Sequence, residues 1–237
     1  MMVRRWIALL VLCVLPAGIG GQDAAPTASL AGSLAGLVRF TGDVPPPQKI
    51  ITSDGAVLMH SDLVVDSKSK GLRHVAVYLQ DVPAQALAKN AKPVVMDQRD
   101  MIFIPRVIVA QEGQTVRFDN NDLCNHAVQS VSTKTENLFN AVTPMGQPFD
   151  FKFKAQKSPV QIGCPIHQWM RGWVYVFPHP FAAVSDAQGQ FKIDGVAAGK
   201  HTVVFAHPDT GLRETRVVDV IAGKTTRVDV EWQKIKK

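Results

Sequence analysis

Short apolar or alternating segments recur along this chain, separated by Gly, Pro, Asn and Asp residues. Segments of this length and spacing are typical of β-strands, because successive side chains of a strand face opposite sides of its sheet. So many short strands predict an all-β fold of the sandwich or barrel type. The predicted strands are Leu34–Phe40, His74–Leu79, Met101–Ile104, Val107–Ala110, Thr115–Phe118, Phe149–Phe153, Val160–Ile162, Val174–Phe177, Phe191–Ile193, Thr202–Ala206, Thr215–Val220 and Thr225–Val230.

Helical periodicity is nearly absent from the sequence. The segment Ala84–Ala91 has helix-forming composition, but it is short. Three polar or proline-rich segments interrupt the strands: a leader at Gln22–Ser33, a surface excursion at Pro45–Lys70 and a stiff joint at Phe177–Pro180. We expect the joint to carry the chain from one sandwich into another, because proline restricts the backbone.

The segment Val160–Phe177 carries the strongest chemical signal. A predicted strand ends just before Cys164, a tight turn presents His167 and Met170, and Gly172 precedes the next strand. Thiolate, imidazole and thioether from one loop, with a second imidazole from elsewhere, form a trigonal copper site with a weak axial methionine. Such ligands accept both Cu(I) and Cu(II). The pattern therefore predicts one mononuclear copper ion and single-electron transfer.

The second imidazole is predicted to be His126. It follows a turn and begins an extended run, and it lies far enough upstream of Cys164 for strands to intervene. Such spacing brings both ligands to one end of a sandwich.

These residues lead to a family resemblance. The segment 103–177 resembles the cupredoxins, and its short C-P-I-H-Q-W-M-R-G loop is most similar to that of amicyanin. The resemblance implies a Greek-key β-sandwich with a type 1 (blue) copper ion and an electron carrier rather than an enzyme. It implies His126, Cys164 and His167 as equatorial ligands and Met170 as the axial one. Upstream residues in the order of that family are Phe103, Pro105, Val109, Gly113, Val116 and Asn120.

At two positions next to the predicted ligands, residues 127 and 124, the sequence does not determine how the site is built. Many cupredoxins have Asn directly after the first ligand histidine, whereas this chain has Ala127. The sequence allows three states of Cys124: a reduced thiol, a disulfide with Cys164 that would abolish the site, or an extra sulfur contact to the copper ion.

The resemblance also implies a docking surface around the ring edge of His167. In this chain the patch would include Pro165, Ile166 and Trp169, with Arg171 as a charge at its rim. Expected partners are redox proteins such as a periplasmic dehydrogenase or a c-type cytochrome.

The flanking sequence has a second resemblance. The segment Ala183–Ala206 resembles the carboxypeptidase regulatory-like (transthyretin-like) β-sandwich, and Gly36–Pro46 resembles its opening strand and turn. We therefore predict a small sandwich built from residues 34–90 and 178–237, with a cupredoxin domain at 94–177 inserted into it.

The first residues predict export. Arg4 and Arg5 precede an apolar run, Trp6–Leu15, which is too short to span a membrane. We assign residues 1–21 as a signal peptide and expect a periplasmic mature protein with no membrane span. The 26 basic and 20 acidic residues form no long basic block, so nucleic-acid binding has no support.

Other functions remain as alternatives. They are copper storage or delivery at a labile site, and a structural or adhesive sandwich with a quiescent site. A copper enzyme would need a second metal site, and the other histidines lack paired spacing. Met59 and His60 form at most a weak accessory contact. The histidines assigned structural or surface roles are His60, His74, His179, His201 and His207.

Overall fold

The computed structural model describes residues 31–52 and 55–235, and these residues are nearly all β. The all-β prediction is confirmed. The predicted signal peptide lies outside the described residues. Among the described residues, no helix is both long and apolar enough to cross a membrane.

The strands follow one another closely along the chain. In order they are β1 (Ala31–Phe40), β2 (Gln48–Ile51), β3 (Val57–His60), β4 (Ala76–Gln80), β5 (Val94–Arg99), β6 (Ile102–Ile104), β7 (Val107–Gln111), β8 (Thr115–Asn120), β9 (His126–Val131), β10 (Asn140–Thr143), β11 (Phe149–Lys152), β12 (Val160–Gly163), β13 (Arg171–Phe177), β14 (Ala182–Val184), β15 (Gln190–Ala197), β16 (Gly199–His207), β17 (Leu212–Val220), β18 (Thr225–Arg227) and β19 (Val230–Trp232). A short 3₁₀ turn, Thr135–Asn137, precedes β10.

Strands β5 to β13 form what we call the central sandwich. One sheet has the order β10-β9-β12-β13-β7 and the other has the order β11-β8-β5-β6. Alternate apolar residues of the two sheets share one core, because one face of each strand is buried. This core includes Met96, Phe118, Val128, Ile162 and Val174.

Strand β1, strand β4 and strands β14 to β19 form what we call the flanking sandwich. β1 pairs with β15, β18 and β19, while the second sheet has the order β14-β4-β16-β17. Among the described strands, none of these ladders includes a strand of the central sandwich. A central domain inserted into the flanking sandwich would produce this pairing. The division of the chain into these two domains stays a prediction.

Two segments between β1 and β5 differ from expectation. The excursion at Pro45–Lys70 contains a separate hairpin of β2 and β3. Ala84–Ala91 has no helix. So short a segment cannot sustain a helix without tertiary support, and here the Gln85 N–H donates to the Pro178 carbonyl instead, at 2.9 Å.

A third apolar cluster joins the two sandwiches. It combines Tyr78 and Val204 of the flanking sandwich with Val107, Tyr175 and Phe177 of the central one. The rings of Tyr78 and Phe177 have centroids 4.5 Å apart. The sandwiches therefore pack through side chains, while their backbone ladders remain separate.

An ion network, partly buried, adds a polar connection beside the segment Cys164–Met170. Arg106 Nε lies 3.0 Å from Asp209 Oδ2, and Arg106 Nη2 donates to Asp62 Oδ1 at 2.8 Å. Arg171 donates to the same two carboxylates, at 2.8 Å to Asp62 and 3.2 Å to Asp209. The Trp173 indole N–H also donates to Asp209, at 2.9 Å. The Asp209 side chain is fully buried, and its charge is matched by the guanidinium groups around it.

Several of the remaining histidines have the structural roles that we predicted. His74, His179 and His207 are buried. Burial, together with neighbouring positive charge, lowers the pKa of His74 to about 3, and burial lowers that of His207 to about 4. His60 lies in the ion network, where its Nε2 is 3.0 Å from Asp62 Oδ1.

We expect Asp209→Asn to lower the free energy of unfolding by about 3 kcal/mol, because it removes the fully buried one of the two carboxylates that pair with the buried Arg106 guanidinium. Urea unfolding at neutral pH measures the loss. The matched control is Asp150→Asn, which removes an exposed ion pair with Arg117 and should cost less than about 1 kcal/mol. Equal losses in the two variants would contradict this role for the network.

Candidate metal centre

The pairing of two strands brings the predicted ligands together. β9 begins at His126, and β12 ends at Gly163, directly before Cys164. The two strands are antiparallel, with Gly163 opposite Gln129. The start of β9 and the end of β12 therefore lie at the same end of the central sandwich.

The loop from Cys164 to Met170 closes on itself. The Cys164 N–H donates to the Met170 carbonyl at 3.3 Å, and the Met170 N–H donates to the His167 carbonyl at 2.9 Å. Gly172 follows, where a Cβ would approach Met96 Sδ to 3.1 Å and the Arg106 carbonyl to 3.2 Å. The strand that leaves the loop thus packs too closely on the core to accommodate a side chain easily at this position.

Three ligand atoms converge at this end of the sandwich. His126 Nδ1 lies 2.9 Å from His167 Nδ1, and Cys164 Sγ lies 3.8 Å from each of these nitrogens. Cys164 and His126 are buried, whereas His167 is half-buried. His167 is therefore the ring through which this cluster reaches the surface.

Two of the three distances between these atoms, those from sulfur to nitrogen, fit a trigonal metal ion. Bonds of about 2.1 Å to nitrogen and about 2.3 Å to sulfur place trigonal donors about 3.8 Å apart for sulfur and nitrogen. Both sulfur–nitrogen distances have this value. The two nitrogens are closer, at hydrogen-bond distance, so one imidazole N–H donates to the other in this structure. The donor set of one thiol and two imidazoles suits copper.

The surroundings of Cys164 favour its thiolate. Burial raises the pKa of this thiol, but hydrogen bonds from His126 and from the backbone N–H groups of Ala127, His167 and Ile166 lower it, and the net pKa is below the ordinary value. The Ala127 N–H lies 3.5 Å from Cys164 Sγ. The thiolate is the form that binds metal. Residue 127 thus contacts the cysteine through its backbone, a contact that needs no asparagine side chain.

Met170 is buried in the same core cluster as Cys164. Its backbone closes the ligand loop, as described above. Its role as the axial ligand stays a prediction.

Asp122 is a contact of His126 that the sequence analysis missed. Its Oδ2 accepts a hydrogen bond from His126 Nε2 at 2.8 Å. Burial lowers the pKa of His126, but the hydrogen bonds with Cys164 and Asp122 raise it, and the net pKa is above the ordinary value. A carboxylate on the second nitrogen fixes the tautomer and orientation of a metal-binding histidine. His126 is thus oriented with Nδ1 toward Cys164 and His167.

The turn before β9 holds Asp122 in position. The Asp122 N–H donates to Asn120 Oδ1 at 3.1 Å, and Asn120 Nδ2 donates to the carbonyls of Cys124 and Thr143, at 3.0 and 2.7 Å. Asp122 Oδ2 also accepts the Met101 N–H at 3.1 Å. The available sequence signal was an acidic residue four positions before the predicted ligand histidine.

Cys124 is close to the cluster and is not disulfide-bonded to Cys164. Its Sγ lies 3.6 Å from His126 Nε2 and 3.8 Å from Met101 Sδ. Ligand atoms of Cys124, His126 and His167 all lie within 4.8 Å of one another. The disulfide reading is therefore wrong for this structure, and the extra sulfur contact remains open.

The four predicted docking residues have different environments. Pro165 is exposed, and Ile166 is 55% exposed. Trp169 is half-buried, with its ring centroid 5.3 Å from that of His167 and its indole N–H on the Met101 carbonyl. Arg171 is held in the ion network. Its contacts there tie the ligand loop to the flanking sandwich, and its docking role stays a prediction.

No protein-family model matches the chain, and no curated protein matches it. Parts of solved structures are similar to it. A copper-containing nitrite reductase from Thermus scotoductus is 23% identical with a TM-score of 0.34, covering 41% of this chain and 25% of its own. The chain therefore matches about a quarter of that enzyme.

Two smaller solved proteins are also similar to part of the chain. A purple cupredoxin from Nitrosopumilus maritimus is 23% identical with a TM-score of 0.31, covering 35% of this chain and 98% of its own. An oxidised amicyanin variant is 22% identical with a TM-score of 0.33, covering 43% of this chain and 97% of its own. The solved structures named here are thus cupredoxins or copper proteins similar to a limited part of the chain.

We expect Asp122→Asn to weaken Cu(II) binding about 10–100-fold, the usual effect of removing the partner of a metal-binding histidine. The asparagine removes a negative charge that favours Cu(II) over Cu(I), so the reduction potential should also rise. Competition titration against a chelator measures the affinity, and voltammetry measures the potential. Asp150→Asn is the control, and an unchanged affinity and potential in Asp122→Asn would contradict this role.

Proposed function

We propose that this chain is a type 1 copper protein that carries single electrons in the periplasm. The observation that carries the proposal is the placement of Cys164 Sγ at 3.8 Å from the Nδ1 atoms of both His126 and His167. The apolar N-terminal run after Arg4 and Arg5 supports export.

When bound, the copper ion supplies a site that alternates between Cu(I) and Cu(II). Cys164 and the two histidines would hold it, with Met170 as a weak fourth ligand. The protein keeps these side chains in one arrangement, because the loop is closed by its own hydrogen bonds and Asp122 fixes His126. Rigid ligands favour fast electron transfer, since little has to move when the charge of the ion changes.

Electron carriage is a better fit to this site than catalysis. The imidazole that reaches the surface is His167, and the other two proposed equatorial ligands are buried. In the described part of the chain, the residues grouped as possible metal ligands all lie at this one end of the central sandwich. A substrate would need an open coordination position, whereas this arrangement offers a covered ion with one exposed ligand edge.

The proposed partners are redox proteins that dock on the exposed residues around His167. Pro165 and Ile166 provide an apolar surface there. Small contacts of this kind suit short-lived electron-transfer complexes. A periplasmic dehydrogenase as donor and a c-type cytochrome as acceptor fit this chemistry.

Addition of Cu(II) to the purified protein should give an intense visible band from thiolate-to-copper charge transfer, together with a reversible voltammetric couple. Cys164→Ser should abolish the band, because it removes the thiolate, whereas Cys124→Ser should retain it. Visible spectroscopy of the three proteins at equal copper loading makes the comparison. A colourless wild-type protein, or a band that depends on Cys124 rather than Cys164, would overturn the assignment.

We expect Ile166→Lys to slow electron self-exchange between reduced and oxidised copies by about tenfold or more. Exchange requires two His167 edges to approach each other, and the substitution places like charges and a polar head in that contact. NMR line broadening in mixtures of the two oxidation states measures the rate.

The control is Val217→Lys, on an exposed site of the flanking sandwich, where Val217 is 72% exposed. It adds the same charge away from His167, and its rate should equal that of wild type. Equal slowing in both variants would show an effect of net charge and would rule out docking at His167.

A further inference from the structure

A second group of soft ligand atoms lies beside the proposed copper site. Cys124 Sγ is 3.8 Å from Met101 Sδ. Metal–sulfur bonds of about 2.3 Å allow one ion to contact two sulfur atoms at this spacing. A thiolate with a thioether is a pair that selects Cu(I). We propose that Cys124 and Met101 form an outer Cu(I) site that receives the ion and passes it to the copper site; this inference depends on the proposed function.

The outer pair is more accessible than the inner cysteine. Cys124 and Met101 are half-buried, whereas Cys164 is 3% exposed. Direct delivery to Cys164 would require a donor to reach a buried thiol behind His126. The outer pair offers an incoming Cu(I) ion two sulfur ligands before it enters the protein.

The backbone holds Met101 toward this position. Met101 has φ 61°, a left-handed conformation that is uncommon for residues other than glycine. Its N–H donates to Asp122 Oδ2 and its carbonyl accepts the Trp169 indole N–H, at 3.1 and 3.0 Å. Asp122 and Trp169 therefore hold the backbone of Met101, from which the thioether reaches within 3.8 Å of Cys124 Sγ.

The distances define a short route inward. Cys124 Sγ is 3.6 Å from His126 Nε2, and ligand atoms of Cys124, His126 and His167 lie within 4.8 Å of one another. His126 and His167 are shared with Cys164. Because His126 Nε2 is bonded to Asp122, the imidazole that Cys124 and Cys164 share on this route is that of His167. Cu(I) can therefore exchange its ligands one at a time: first Cys124 with Met101, then Cys124 with His167, and finally Cys164 with His167 and His126 Nδ1.

The transfer involves no change of oxidation state. Cys124 loses its thiol proton to water when Cu(I) binds, and it takes a proton up again after the ion has left. Cys164 loses its own proton as it becomes a ligand.

The first test measures Cu(I) uptake by the copper-free protein under anaerobic conditions. Cu(I) is supplied as its coloured bicinchoninate complex, and stopped-flow absorbance follows its removal. Cys124→Ser should slow uptake by tenfold or more, and Met101→Leu should slow it by a smaller factor. Met145→Leu changes another methionine, 56% exposed, and should leave the rate unchanged. Wild-type rates in Cys124→Ser and Met101→Leu would overturn the proposal.

The second test detects the outer site by itself. In Cys164→Ser, added Cu(I) should protect Cys124 from alkylation by iodoacetamide, and the Met101→Leu substitution in that background should reduce the protection. Peptide mass spectrometry reads the modification at Cys124. Equal alkylation with and without Cu(I) would overturn the outer site.

The two proposals fail in different ways. If wild type gives no charge-transfer band with Cu(II) but Cys124 is still protected by Cu(I), the electron-carrier function is wrong and the outer site is supported. If wild type gives the band, but Cys124→Ser takes up Cu(I) at the wild-type rate and Cu(I) does not protect Cys124 from alkylation, the function is supported and the outer site is wrong.

Discussion

The candidate copper site depends on the antiparallel pairing of β9 with β12. This ladder pairs Gly163, the last residue of β12, with Gln129 of β9, so the start of β9 at His126 and the residue after β12, Cys164, lie at the same end although they are far apart in the chain. The loop that follows β12 then adds His167 within 3.8 Å of the same sulfur. Because strand register is fixed by the buried core on one face, a slip would move the ligands away from one another.

The remaining contacts restrict how far these ligands can move. Asp122 fixes the ring of His126, and the Asn120 side chain holds the turn that carries Asp122. On the other side of the loop, Arg171 is anchored by carboxylates of the flanking sandwich and of the excursion. The flanking sandwich thus contributes to the ligand loop although it supplies no predicted ligand.

The predictable and unpredictable parts of the structure differ in the range of the interactions that form them. Alternation of apolar residues identified most of the strands, and the spacing of Cys164, His167 and Met170 identified the loop, because both patterns are local. Met101 and the network around Asp209 join segments distant in sequence, and no local pattern marks them. Asp122 is only four residues from His126, but an acidic residue at that spacing is too common to identify a contact by itself. The segment Ala84–Ala91 has helix-forming composition but contains no helix, because its Gln85 N–H donates to the carbonyl of Pro178, which is distant in sequence.

The two thiols at this end of the central sandwich have different environments, which suit the two metal-binding roles that we propose for them. Cys164 is buried between imidazoles and receives backbone N–H groups, whereas Cys124 is half-buried beside a thioether. The first environment suits an ion that stays while its charge changes. The second suits an ion that arrives and leaves. His126 lies beside both sulfur atoms: its Nδ1 is 3.8 Å from Cys164 Sγ, and its Nε2, which is bonded to Asp122, is 3.6 Å from Cys124 Sγ.

The central claim is that one thiolate and two imidazoles hold copper in both oxidation states. Copper-edge X-ray absorption of the loaded protein, oxidised and then reduced, tests it most directly. The account predicts one short copper–sulfur bond and two copper–nitrogen bonds in both states, with little change between them. A copper ion surrounded by nitrogen and oxygen alone, or one that loses its nitrogen ligands on reduction, would contradict it.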